Sequence, residues 1–250
     1  MAAYFDMIEK HLDLATADGA MNTFIVHPEA GGPHPLVLFY MDAPGKREEL
    51  HDMARRIATA GYYVVLPNLY YRRTREFVLD RSSEVSMAAM FELMGYLTNE
   101  LVVRDTDAIL RYVDAQPEAD ATRAGAVGYC MSGPFVMAVA ARWPERIKCI
   151  ASIHGANLVT NRADSAHLLA PRIRCESYFA CAEIDKWAPR PTVQALQRAL
   201  VAAGTPHRIE WYPGVEHGFV FPQRAVYDKP GAERHWERLL DLFQRTLGPH

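Results

Sequence analysis

Residues 128–133, Gly-Tyr-Cys-Met-Ser-Gly, constrain this chain more than any other segment. The apolar run Ala124–Val127 leads straight into them, and a helical pattern follows with Met131, Phe135, Ala138 and Val139 on one face. A strand that turns abruptly into a helix strains the residue at the turn, and neighbouring Cβ atoms would crowd it. Small residues are therefore required on both sides of the apex. Cys130, at the apex, is a side chain capable of covalent catalysis. The N-terminal N–H groups and positive dipole end of the following helix would aim at its sulfur and favour negative charge there. Buried cysteines are common, so the motif alone leaves a structural role as open as a catalytic one.

Matching partners stand further along the chain. In α/β-hydrolases the order is nucleophile, acid, histidine, with the last two on loops after later strands. A strand reading over Glu176–Cys181 ends in Ala-Glu-Ile-Asp, which puts Asp185 just past a strand end, with Pro189 opening a helix. The next strand reading, His207–Tyr212, runs into Pro-Gly-Val-Glu-His-Gly-Phe, so His217 falls in a glycine-flanked loop before the last helix. Cys130, Asp185 and His217 are the expected catalytic set.

The same residues carry a family resemblance. Gly128-Tyr129-Cys130, Asp185 with Pro189, and His217-Gly218-Phe219 resemble the dienelactone hydrolase (carboxymethylenebutenolidase) family. The segments 39–45, Phe-Tyr-Met-Asp-Ala-Pro-Gly, and 61–70, Gly-Tyr-Tyr-Val-Val-Leu-Pro-Asn-Leu-Tyr, match its first half in register. The likeness runs from about residue 20 to the last helix and is specific, because a cysteine nucleophile is unusual among α/β-hydrolases. It implies a hydrolase of small-molecule esters or lactones, with no cofactor and no metal.

The pattern along the chain points to the same fold class. Strand-like apolar runs at 21–26, 35–41, 62–66, 124–127, 147–153, 176–181 and 207–212 alternate with amphipathic helical stripes. These stripes are Leu50, Met53, Ala54, Ile57; Leu101, Asp105, Ala108, Ile109, Tyr112, Val113; and Trp236, Leu239, Leu240, Phe243, Leu247. Continuous apolar strands between such helices predict an α/β fold: a single α/β-hydrolase domain over 1–250, with a mainly parallel twisted sheet covered on both faces. Reactive groups then gather at the carboxyl ends of the strands. The long irregular stretch 70–86 is expected to line or cover the site.

Composition excludes other classes. A formal net charge of −3 with 27 scattered basic residues leaves no nucleic-acid footprint. No run approaches the length of apolar residues that a membrane span needs, and residues 1–13 carry early acids unlike a signal peptide. Cys130, Cys149, Cys175 and Cys181 lack zinc-ligand spacing and read as reduced thiols of a cytoplasmic protein.

The resemblance supplies roles for further residues. The oxyanion of a tetrahedral intermediate would lie between the backbone N–H groups of Met131 and Ala43. Asp42 matches a glutamate that, in that family, accepts the thiol proton; its other reading is a turn-forming residue of Asp-Ala-Pro-Gly. Phe221 stands where the family has a carboxylate-binding arginine, with Arg224 nearby but off register. That change predicts a preference for neutral or weakly anionic esters. Tyr70, Arg72, Arg73, His154 and Trp187 are the remaining candidates for substrate contact. A class I amidotransferase would want an acid two residues past its histidine, where this chain has Phe219. A non-catalytic binding module would be expected to lack a triad member, and none is missing.

Overall fold

The computed structural model describes residues 6–248; residues 1–5 and 249–250, which the expected domain and the N-terminal reading include, lie outside it. Among the described residues one sheet contains β1 (Met7–Thr16), β2 (Gly19–Pro28), β3 (His34–Tyr40), β4 (Tyr63–Pro67), β5 (Ala119–Tyr129), β6 (Ile147–Ile153), β7 (Glu176–Ile184) and β8 (His207–Glu216). Their spatial order is β1-β2-β4-β3-β5-β6-β7-β8. The β1–β2 and β2–β4 pairs are antiparallel, and every pair from β4 to β8 is parallel. Parallel neighbours must be joined by crossovers, and these are α1 (Glu48–Ala58), α2 (Glu84–Tyr96), α3 (Asn99–Val113), α4 (Gly133–Arg142) and α5 (Arg190–Ala203), with α6 (Lys229–Leu247) last.

Strand parity shows that helices cover both faces. A Cβ on Gly125 of β5 would meet Phe243 and Leu247 of α6, whereas one on Gly128 would meet Ser132 and Val136 at the start of α4. Residues of opposite parity face opposite sides of a strand, so α4 and α6 sandwich β5. α1 joins α6 through the Arg56–Glu233 ion pair at 2.7 Å. Strands β3 and β4 are buried along their whole length, which explains why their sequence is apolar from residue 35 to 40 and from 63 to 67.

Two elements differ from expectation. β1 was not anticipated: it pairs with β2 alone, and most of it is partly exposed. Lys10 among its inward-leaning apolar residues breaks the alternation that marks a half-buried strand. The irregular stretch ends at Ser83, whose hydroxyl caps α2 by accepting from the Ser86 amide at 3.2 Å. α2 lacks an amphipathic stripe because its apolar side chains point all round; Val85 is 81% exposed, Phe91 40%, and only Met90 is buried.

The turn into α4 leaves no room for side chains at Gly128 and Gly133, two and three residues from Cys130. Cys130 has φ 54°, a left-handed value that a non-glycine residue adopts only under strain. A Cβ on Gly128 would lie 2.4 Å from the Ser132 carbonyl oxygen, and one on Gly133 would lie 2.7 Å from Cα of Gly155. Gly128→Ala is therefore expected to lower stability by about 1–3 kcal/mol and to displace the thiol. Gly95→Ala, in α2 with open space around its Cβ, should instead stabilise by up to about 1 kcal/mol. Thermal unfolding of both variants checks the contrast; equal shifts would contradict it.

Candidate active site

The five parallel strands β3, β5, β6, β7 and β8 lie side by side, and each ends in a residue of the site. Ala43 follows β3, Cys130 β5, His154 β6, Asp185 β7 and His217 β8. Ser132 ties the first two loops together, its hydroxyl donating to the Met41 carbonyl at 2.5 Å. Tyr70 supports the same loop from below: it is buried, and its hydroxyl donates to the Ala43 carbonyl at 2.8 Å. That bond holds the Ala43–Pro44 peptide, which follows the Asp42–Ala43 amide expected to face an oxyanion.

Asp185 is oriented before it meets the histidine. One carboxylate oxygen accepts from the amides of Trp187 at 2.8 Å and Ala188 at 3.2 Å. The other accepts from His217 Nδ1 at 2.7 Å. This leaves Nε2 of His217 as the nitrogen free for chemistry; it is enclosed and makes no hydrogen bond of ordinary geometry to a described group. Burial works against the imidazolium, but the bond to Asp185 and the nearby Cys130 thiol outweigh it and raise the pKa to about 9.

β8 is three strands from β5, about 14 Å at the usual spacing of about 4.8 Å. The His217 loop must therefore fold back over β7 and β6, and His154 is what it meets. The two imidazoles pack edge to face with centroids 4.7 Å apart. His154 is fully buried at φ 39°, flanked by Phe219 and Phe221 at 6.0 and 5.6 Å. Burial drives its pKa well down, so it is a neutral wedge behind His217 and lies outside the cavity lining.

A cavity of about 230 Å³ holds Cys130 and His217 together. Its walls include Ala43, Trp187 and the apolar side chains Met87, Met90, Phe91 and Met94 of α2. Three cations, Arg81, Lys186 and Arg224, also line it. Arg224 crosses Gly218, where an added Cβ would lie 2.3 Å from Nη1, and stacks 4.5 Å over the Phe221 ring. Phe221 is thus a buried floor under a guanidinium that reaches the cavity from three residues further on.

Asp42 is wholly buried and faces arginines on both sides. Its Oδ1 accepts from Arg47 at 2.5 Å and its Oδ2 from Arg224. No hydrogen bond joins it to Cys130 among those of the described residues. Arg72 lies away from the cavity, bound to Asp18 at 2.7 Å and Asp105 at 2.6 Å. Arg73 lies 4.3 Å over Tyr96. Of the substrate-contact candidates, Trp187 and Arg224 line the cavity, while Tyr70, Arg72, Arg73, His154 and Phe221 do not. Arg81 and Lys186 were missed, although one falls in the stretch 70–86 and the other adjoins Asp185.

With this geometry in hand, comparison with known proteins settles the lineage. The dienelactone hydrolase family profile matches residues 21–247. The chain belongs to that family. A carboxymethylenebutenolidase of Pseudomonas putida is 23% identical over 95% of this chain and 97% of its own. A Synechocystis protein named as a candidate carboxymethylenebutenolidase is 26% identical, over 90% of this chain and 91% of its own. A candidate dienelactone hydrolase from Klebsiella pneumoniae shares the fold with a TM-score of 0.86 at 24% identity, covering 96% of this chain and 99% of that one. Membership makes this chain an ester or lactone hydrolase of the α/β-hydrolase fold.

The pKa of His217 fixes the sign of a pH effect. Its folded value of about 9 exceeds the unfolded value of about 6.5. The imidazolium therefore stabilises the fold fully below pH about 6.5, and that contribution fades as pH rises through about 9. Asp185→Asn removes the strongest support for the charge while burial remains, so the His217 ring titration followed by NMR should fall towards 6.5 or below. A titration unmoved by the substitution would contradict the assignment of Asp185 as its partner.

Proposed function

We propose that the chain hydrolyses a small ester or lactone bearing an anionic group, through Cys130, His217 and Asp185 and a thioester acyl-enzyme. The observation that carries this reading is one cavity containing a strained thiol, an imidazole backed by a carboxylate, and three cations. The Cys130 sulfur attacks the carbonyl carbon, and the C=O electron pair moves onto oxygen, facing the amides of Ala43 and Met131. Collapse of that intermediate breaks the C–O bond, and the leaving oxygen takes its proton from His217. A histidine that keeps its proton up to about pH 9 is suited to this acid step. Neutral after donating, His217 deprotonates the water that attacks the thioester; the acid is released and the thiol–imidazole pair regains its shared proton. Asp185 holds the ring tautomer throughout.

Asp42 serves in this scheme as the counter-ion that positions Arg224 and Arg47, leaving His217 as the proton carrier. The neutral-ester preference expected from Phe221 gives way to the opposite reading, because Arg81, Lys186 and the Asp42-bound Arg224 line the cavity that holds the thiol. Four free cysteines fit a reduced, cytoplasmic setting. No described helix is long and apolar enough to cross a membrane.

Burial pushes Cys175 and Cys181 up to about 12 and Cys149 further, so iodoacetamide at neutral pH should label Cys130 alone. Loss of activity should follow that label, and Cys130→Ala should lower kcat by a factor on the order of 10³ or more. Arg81→Gln should reduce kcat/KM for a carboxylate-bearing aryl ester by about tenfold, equivalent to a charge-assisted hydrogen bond of about 1.5 kcal/mol, and leave its neutral analogue unchanged. Inactivation with label on another cysteine would refute the nucleophile. Equal losses on both esters would refute the anionic class.

A further inference from the structure

A second cavity of about 300 Å³ adjoins the first, and the two share Met94 and Asn157 as a common wall. It opens beside the first turn of α4, where Met131, Pro134 and Phe135 line it. Met131 directly follows the nucleophile. With Leu97, these side chains give the cavity an apolar body.

Most of its polar rim is already occupied by the protein itself. Thr98 accepts from the Leu101 amide at 3.1 Å, and Ser165 accepts from the Thr160 amide at 2.8 Å. Asn99 donates to the Asp164 carbonyl at 2.9 Å, and Arg162 is bound to the Asp164 carboxylate at 2.8 Å. The second cavity therefore presents no unpaired cation, in contrast to the first, where Arg81 and Lys186 make no ion pair among the described residues and Arg224 is bound to Asp42. An anion gains nothing here, and an apolar group gains burial. Thioether side chains at Met94 and Met131 let the walls adapt to different shapes. At about 300 Å³ the space lies at the small end of ligand pockets.

The direction of the chemistry assigns the two halves of the substrate. A leaving oxygen must depart within reach of the proton on His217, and His217 lines only the first of these two cavities. The acyl substituent, on the other side of the reacting carbon, is then directed past Met131. We propose that the second cavity is an acyl-binding subsite for an uncharged, apolar acyl group, while the alcohol half, carrying the anionic group, occupies the first. The enzyme is thereby selective for esters of medium-length aliphatic or aryl acids. This rests on Cys130 as the nucleophile.

Gly95 allows a clean test. It lines the second cavity from α2, and a Cβ built on it meets nothing within 4 Å. Gly95→Trp and the smaller Gly95→Leu can therefore plug the cavity from a helical position that tolerates side chains. The probes are 4-nitrophenyl esters from acetyl to octanoyl, and acetate esters of alcohols of matching length. With the wild type, kcat/KM should rise with acyl length. Gly95→Trp should cut the hexanoyl and octanoyl esters by about tenfold or more, the scale of one or two misplaced methylenes. Gly95→Leu should cut them less. Both should leave the acetyl ester within about twofold, and alcohol length should not matter to the plug. Losses that track alcohol length, losses equal at all acyl lengths, or no loss with the plugged variants would each overturn the proposal. Acetyl ester hydrolysis that survives Cys130→Ala would instead overturn the nucleophile, so the two failures are distinguishable.

Discussion

The site depends on a backbone reversal that an ordinary sequence could not make. At Cys130 the chain leaves β5 with a left-handed φ of 54° and enters a helix within three residues. Such strain persists only where its surroundings over-determine it. Here the close approach of Gly128 to the Ser132 carbonyl and of Gly133 to Gly155 clamps the turn from both sides. The hydroxyl of Ser132 then locks it to the end of β3 at Met41. One local constraint thus sets three things: the exposure of the thiol, the direction of α4, and the distance between the sulfur and the Ala43 peptide.

The rest of the machinery is a problem of reach. A parallel sheet delivers loop residues in a row, one strand spacing apart, while the proposed reaction needs sulfur, imidazole and carboxylate in contact. Asp185 and His217 come from adjacent strands and bond directly. His217 must then lean back across two strands towards Cys130, and the buried ring of His154, with Phe219 and Phe221 around it, fills the space beneath. Two neutral-to-cationic imidazoles in contact cannot both be charged at little cost, and burial keeps His154 neutral. The proton therefore resides on the ring that Asp185 supports.

Legibility in the sequence followed the kind of signal each feature leaves. The core strands and the helices α1, α3 and α6 were readable because burial on two faces or one stripe imposes a periodic pattern. The placement of Cys130, Asp185 and His217 just past strand ends was readable because glycine and proline punctuate those ends. β1 was lost because an edge strand paired on one side tolerates a lysine among its apolar residues. α2 was lost because it is apolar all round, which reflects its place as a wall of two cavities rather than the cover of a core. The charge of the pocket was legible only in part, for a different reason. Phe221 at the family's arginine position predicts a less cationic pocket, with Arg224 as the nearby cation off register. A guanidinium on a long, flexible stem can return from Arg224, and others arrive from Arg81 and Lys186 on separate loops. Asp42 shows the same limit: the turn was readable, but the two arginines that take its carboxylate come from residues 47 and 224.

The central claim is that the Cys130 sulfur becomes covalently acylated during turnover. Rapid quenching of the enzyme with a slowly deacylating aryl ester, followed by intact-protein and peptide mass spectrometry, tests it most directly. The account predicts a transient mass increase equal to the acyl group, located on the peptide containing Cys130 and released by hydroxylamine. It should form no more slowly than turnover. Turnover at full rate with no adduct at any quench time, or an adduct on a residue other than Cys130, would contradict the account.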